Sequence, residues 1–263
     1  MLHFAHGNGF PALCYSQLLK ALQTRYQCTY IDRIGHNPEF PVTENWHCLV
    51  NELIHTIQQQ NFLRESTAPI IAVGHSLGGV LTFLAAHEKP ELFKVVVMID
   101  APILNQLKSR VVRLAKSLGV IDNITPARAA RRRRQYWQSQ ETLYQYLKEK
   151  PLFRTFTEAC LQDFMRFGVE QTKEGYQLRF DPQIEYLIFR TLPHHLPYYI
   201  KQLSVPVILM YGDQSTVVSR LDVQYMQQRY NIHCIKMKGT HMLPMESPEL
   251  LAKMIFQAID NIE

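Results

Sequence analysis

No stretch of this sequence approaches the roughly 20 consecutive apolar residues that span a bilayer. The start, MLHFAHGNGFP, lacks the basic head and long apolar core of a secretory signal. Cysteine pairs are missing too. Cys14, Cys28, Cys48, Cys160 and Cys234 are scattered and odd in number, and no two have the spacing of metal ligands or of a redox pair. These absences set the expectation of a chain with reduced thiols, in a cytoplasm, without a transmembrane segment. Internal repeats are absent, and so is low-complexity sequence apart from the four arginines at 131–134. Acidic charge is scarce in one region. Residues 101–202 hold 17 Lys/Arg against 9 Asp/Glu, while the rest of the chain holds 11 against 14. The net charge of +5 therefore comes from the middle of the chain.

What is present is enough for a sizeable core. The 263 residues are 46% hydrophobic, which suits one domain with a large insertion or two small domains. Strand and helix signals alternate through the first hundred residues. LHFA, QCTYID, PIIAVGH and FKVVVMID read as strands; SQLLKALQTRY, WHCLVNELIHTIQQQ and LGGVLTFLAAHEKP read as helices. Continuous apolar strands separated by helices indicate a mostly parallel sheet covered on both faces. Residues 103–200 then read mostly as helix: NQLKSRVVRLAKSLG, TPARAARRRRQYWQSQETLYQYLKEK and FRTFTEACLQDFMRFG, with a hairpin in VEQTKEGYQLRF turning at Glu174–Gly175. The alternation resumes at 205 with VPVILMYG, SRLDVQYMQQRY, IHCIKMKG and SPELLAKMIFQAIDNI. An α/β core of 1–102 and 203–263 with a helical insertion at 103–202 is expected.

VGHSLGG sets Ser76 between Gly74 and Gly78 at a strand-to-helix junction, a G-x-S-x-G turn that exposes a nucleophile above a sheet. The start of the following helix offers unpaired N–H groups and a positive dipole end, which suit an oxyanion. With HGNGFP after the first strand and GTHMLPMESPEL before the last helix, the chain resembles the α/β-hydrolases over nearly its whole length. That resemblance implies an α/β-hydrolase fold with a helical lid after the sixth family strand, and the family's first two strands are expected to be absent. It implies His241 as the catalytic histidine, and the backbone N–H groups of Asn8 and Leu77 as oxyanion donors. The position of His241 before the last amphipathic helix, in a loop set by Pro244 and Pro248, agrees with that role. One departure is Thr240, where the family commonly has a second glycine. His75 is expected to point away from the site and His6 to shape the oxyanion turn, while His194 and His195 fall in the lid.

The acid is the open point. Many relatives carry it three residues past the glycine that ends the strand VPVILMYG, and here that residue is Ser215. A serine cannot supply the charge that holds a histidine tautomer. Asp100, closing the strand VVVMID, is a lone carboxylate that is costly to bury without a partner. Certain bacterial acyl esterases look similar, with the acid after the sixth strand and a serine at the later position. Asp100 is the expected acid, Ser215 a fourth member beside it, and Asp213 the alternative acid. A serine esterase or thioesterase acting on a small-molecule acyl substrate follows, needing neither metal nor organic cofactor. Carbon–carbon bond hydrolysis, perhydrolysis and non-catalytic ligand binding stay as alternatives. Most lid aromatics (Tyr136, Trp137, Tyr144, Phe153, Phe164 and others) are assigned to the lid's own core. RRRR is expected on a helix, where four consecutive residues sweep all round and cannot share one face; its alternative role is attraction of an anionic head group or acidic membrane surface. Nucleic acid is not expected as a partner, and a homodimer is left open.

Overall fold

A computed structural model describes residues 1–196 and 203–262. The expected end of the insertion at 202, and residue 263, lie outside these described residues. In chain order the first half is β1 (Leu2–Ala5), α1 (Ser16–Gln23), β2 (Cys28–Tyr30), α2 (His47–Leu63), β3 (Ile70–His75), α3 (Leu77–Glu88) and β4 (Phe93–Ile99). Between β4 and the next strand of the same sheet lie α4 (Gln106–Ser117), α5 (Ile121–Ile124), α6 (Ala127–Arg131), β5 (Tyr136–Trp137), α7 (Gln140–Glu149), α8 (Glu158–Phe167), β6 (Val169–Thr172), β7 (Gly175–Leu178) and α9 (Pro182–Arg190). The chain closes with β8 (Val207–Gly212), α10 (Arg220–Tyr230), β9 (His233–Met237), α11 (Leu243–Glu246) and α12 (Pro248–Asp260).

The main sheet runs β2-β1-β3-β4-β8-β9 with every pairing parallel. Its central strands are buried on both sides, as their continuous apolar runs require. Successive residues feed opposite layers. Ala72, Val96, Met98 and Leu209 pack with α2, α3 and α10, while Val73, Val97, Ile99 and Met210 pack with α1 and α12. The chain steps from β1 outward to β2, then returns to pair β3 on the other side of β1. Strand order therefore reverses at β1/β3, and the crevice outside the carboxyl ends of these two strands is where such sheets hold ligands.

The segment between β4 and β8 departs from expectation in three places. The helix expected across 125–150 is broken. Tyr136 and Trp137 pair with β7 as an edge of a small antiparallel sheet β5-β7-β6, which buries Trp137 to 1% exposure. Ser139 then restarts helix with a capping box to Thr142. RRRR is accordingly not helical: Arg131 ends α6, Arg132 caps it, and Arg133 and Arg134 lie in the connection to β5. The hairpin forms, but Thr172 pairs with Gly175, so Lys173 and Glu174 make the turn. Nor do the aromatics form a separate core. Phe153, Phe156 and Phe164 surround Phe10 of the HGNGFP turn with ring centroids 5.4–6.3 Å away, in one cluster with Tyr15 and Leu18.

Candidate active site

Ser76 links β3 to α3 at φ 52° and ψ −115°, backbone space that non-glycine residues seldom occupy. The turn is tight because three segments meet there. A Cβ added to Gly74 would sit 2.3 Å from the Gly78 carbonyl, and one on Gly78 would sit 2.1 Å from the Ala5 carbonyl oxygen. The glycines of GHSLGG are thus a packing requirement of β1, β3 and α3. The Ser76 N–H donates to the Ile99 carbonyl at 2.9 Å, and the first helical bond runs from Val80 N–H to the Ser76 carbonyl. The Leu77 N–H, at the first position of α3, has no partner within the helix and stands at the positive end of its dipole.

Asp100 follows β4 with φ 44° and is fully buried. Its Oδ1 accepts from His241 Nδ1 at 2.8 Å and from the Ser215 hydroxyl at 2.6 Å; its Oδ2 accepts from the Gly212 N–H at 2.9 Å. Such bonds are what make a buried carboxylate tolerable. The serine's direction is fixed by its other partners. Its oxygen accepts from the N–H groups of Val217 and Val218, both at 3.1 Å, so its single proton goes to Asp100. With Nδ1 donating to the carboxylate, the unprotonated nitrogen of neutral His241 is Nε2. Asp213 is exposed and accepts from the Gly239 N–H at 2.9 Å, clipping the end of β8 to the loop after β9. The fold thus brings Asp100, Ser215 and His241 into one hydrogen-bonded set and leaves Asp213 outside it.

The HGNG turn follows β1 on the opposite side of Ser76's strand. His6 donates through Nδ1 to the Gly7 carbonyl at 2.9 Å and accepts through Nε2 from the Ile34 N–H at 2.8 Å. Both ring nitrogens are spent on bracing the turn, and burial holds the ring neutral with a pKa lowered to about 4. The Asn8 side chain donates to the Glu185 carbonyl at 3.0 Å. His194 is placed elsewhere, beside Lys116 and Glu44, with His195 next to it in the chain. Among the described residues no group of three or more His, Cys, Asp or Glu side chains is arranged to hold a metal ion.

Residues 4–254 match the family model described as "Alpha/beta hydrolase family". The chain belongs to the alpha/beta hydrolase family. Among solved structures of that fold, E-2-(acetamidomethylene)succinate hydrolase superposes with a TM-score of 0.76 at 21% identity, over 99% of this chain and 91% of that one. The thioesterase domain from the curacin biosynthetic pathway gives 0.72 at 18% identity, over 97% and 90%. The monoglyceride lipase of Rattus norvegicus is 27% identical over 111 residues, a match spanning 40% of this chain and only 35% of that protein.

Three parts of this alpha/beta hydrolase's site escape a reading of its sequence. His75 does not simply turn away. The Gly7 N–H donates to the Tyr15 hydroxyl at 3.0 Å, that hydroxyl meets His75 Nδ1 at 2.8 Å, and His75 Nε2 meets the His241 carbonyl at 2.9 Å. One consistent set of protons runs through this chain: Tyr15 donates to Nδ1, and the Nε2 proton goes to the carbonyl. Burial drives the His75 pKa well below the usual histidine value, which keeps the ring in that neutral form. The HGNG turn and the loop carrying His241 are thereby braced against each other beside Ser76. Second, Arg133 pairs with Glu185 at 2.7 Å and donates to the Gly9 carbonyl at 3.2 Å, so one arginine of the run pins the HGNG turn. Third, Thr240 is used where glycine is usual. Its N–H and hydroxyl both donate to Glu246, and its hydroxyl accepts from the Met242 N–H at 3.1 Å. Only the local pair Thr240–Glu246, six residues apart, left a signal that sequence could have offered.

Proposed function

We propose that this chain is a serine hydrolase of carboxylic esters or thioesters, working through an acyl-enzyme. The carrying observation is the set His241–Asp100–Ser215 at the strand ends that also bear the left-handed Ser76. In this reading Ser76 Oγ attacks the acyl carbonyl while His241 Nε2 takes its proton. The buried charge of Asp100 holds the His241 tautomer and stabilises the imidazolium. The N–H groups of Leu77 and Asn8 face the oxyanion. His241 then returns the proton to the leaving alcohol or thiol, and afterwards activates the water that releases the acid. Residues 103–202 act as the lid over the strand ends that carry Ser76 and His241. No step requires a metal or organic cofactor. A fluorophosphonate probe tests the nucleophile: labelling of the wild type and none of Ser76→Ala is expected, and equal labelling of both would overturn the mechanism. A screen of p-nitrophenyl esters and acyl-thioesters of graded length then separates ester from thioester and sizes the acyl group.

A further inference from the structure

The helix α4 is apolar on two faces. Val112 and Ala115 turn inward and pack with Ile121 and Leu192. Leu107, Val111, Leu114 and Leu118 turn outward and are 72%, 49%, 58% and 65% exposed. Their spacing of i, i+4, i+7 and i+11 puts all four on one narrow stripe, about 16 Å long at the helical rise. Val120 and Ile124 continue the apolar surface onto α5, 40% and 50% exposed. Scattered single leucines on a surface need no explanation; a continuous stripe does.

The surroundings of the stripe are basic. Residues 103–134 contain nine Lys/Arg and one acid, Asp122. Three of the nine are consumed in ion pairs: Lys108 with Asp222, Lys116 with Glu44 and Arg133 with Glu185. Arg110 and Arg113 lie exposed on the flank of the stripe without a carboxylate partner among the described residues, and Arg128 and Arg132 are likewise exposed on α6 and its cap. A single convex helix with an apolar ridge and a cationic flank fits a surface that is apolar within and anionic at its face. A second copy of the chain fits poorly, because a symmetric contact through this face would set Arg110 and Arg113 against like charges.

We propose that the outer face of α4 and α5 docks on an anionic lipid bilayer, with the Leu107–Leu118 stripe at the headgroup–acyl boundary and the flanking arginines on lipid phosphates. This goes beyond the proposed reaction and does not depend on it, since binding is read without turnover. α4 begins six residues after Asp100, so docking would set the strand ends that carry Ser76 and His241 close to the lipid.

The test is co-sedimentation of the full chain with vesicles of phosphatidylcholine alone and of phosphatidylcholine with an equal part of phosphatidylglycerol. Binding to the anionic vesicles at least about tenfold stronger than to neutral ones is expected, weakening as salt is raised. Leu114→Ser with Leu118→Ser should lower binding about tenfold or more, with an unchanged melting temperature because both side chains are already in water. Arg110→Gln with Arg113→Gln should reduce the preference for the anionic vesicles. Phe62→Ser with Leu63→Ser, exposed on α2 at 82% and 79%, should change nothing. Absence of sedimentation with anionic vesicles at low salt overturns the proposal, as does full binding by the leucine variant. Sedimentation velocity supplies the other outcome: a dimer that the leucine variant abolishes would assign the stripe to a second copy instead of lipid.

Discussion

The ends of β4 and β8 lie side by side in the sheet and each presents an aspartate, yet the two aspartates live in different physical surroundings. Asp100 is fully buried and accepts three hydrogen bonds, from a histidine, a hydroxyl and a backbone N–H. Asp213 is exposed and accepts one, from the Gly239 N–H. Both are polar groups just past an apolar strand, so strand-end position alone does not separate them. Burial does. A carboxylate without water must be surrounded by donors, and here one of those donors is the imidazole that the proposed reaction requires. Asp213 keeps its water and serves as a clip between two loops.

Asp100→Asn would break this comparison most severely. It keeps the shape, removes the charge and favours the wrong His241 tautomer. A fall in kcat of roughly 10⁴, the size seen for the equivalent change in a serine protease, is expected in an ester assay. Ser215→Ala removes one hydrogen bond to the buried charge and leaves the charge in place. At about 1.5–3 kcal/mol for such a bond, a fall of roughly ten- to hundredfold is expected. Tyr15→Phe tests the brace behind the site. It leaves the Gly7 N–H and His75 Nδ1 without their shared partner, and a loss of about 1–3 kcal/mol in urea unfolding should accompany a lower kcat. Asp213→Asn should be the mildest, under about threefold in kcat, since an amide oxygen still accepts from Gly239. A crippled Asp213→Asn beside an active Asp100→Asn would reverse the assignment of the acid.

The pH dependence of stability sharpens the same contrast between buried and exposed groups. Burial lowers the pKa of His3 and of His6 to about 4, and pushes His75 down as well. Unfolded, these rings titrate near 6.5, so between about 6.5 and 4 the unfolded chain binds protons that the folded chain refuses. Their contribution is complete above 6.5 and is lost as pH falls through that window. Glu52 works the other way. Burial raises its pKa to about 7, so its folded form is penalised as pH rises from about 4.5 to 7. Three histidines outweigh one glutamate, and the melting temperature should fall between pH 6.5 and 4. A flat profile across that range would mean that the rings are not held neutral.

Much of the site was legible in the residues because its causes are short-ranged. Gly74 answers to contact with Gly78, four residues on, so GHSLGG announces the turn, although Gly78 itself answers to Ala5 of β1. Asp100 was readable as a carboxylate ending a strand of Val95, Val96, Val97, Met98 and Ile99, where only a partner makes burial tolerable. The sheet was readable because each parallel strand is a continuous apolar run. The broken helix at 125–150 was not, because Tyr136 and Trp137 are drawn into a sheet by β7, some 40 residues later. Local helical signals lost there to the burial of an indole.

By itself, the sequence determined the alternation of strands and helices, the strained turn at Ser76 and the need for a partner at Asp100, all of which follow from steric and solvation rules acting over neighbouring residues. The tertiary structure alone decided which groups those rules would meet. It set Ser215 and His241 on Asp100, Tyr15 and His75 between two loops, and Arg133 on Glu185, across separations of 52 to 141 residues. Hydrogen bonds and ion pairs over such separations depend on where the packed sheet and helices bring their ends, and no local pattern encodes that.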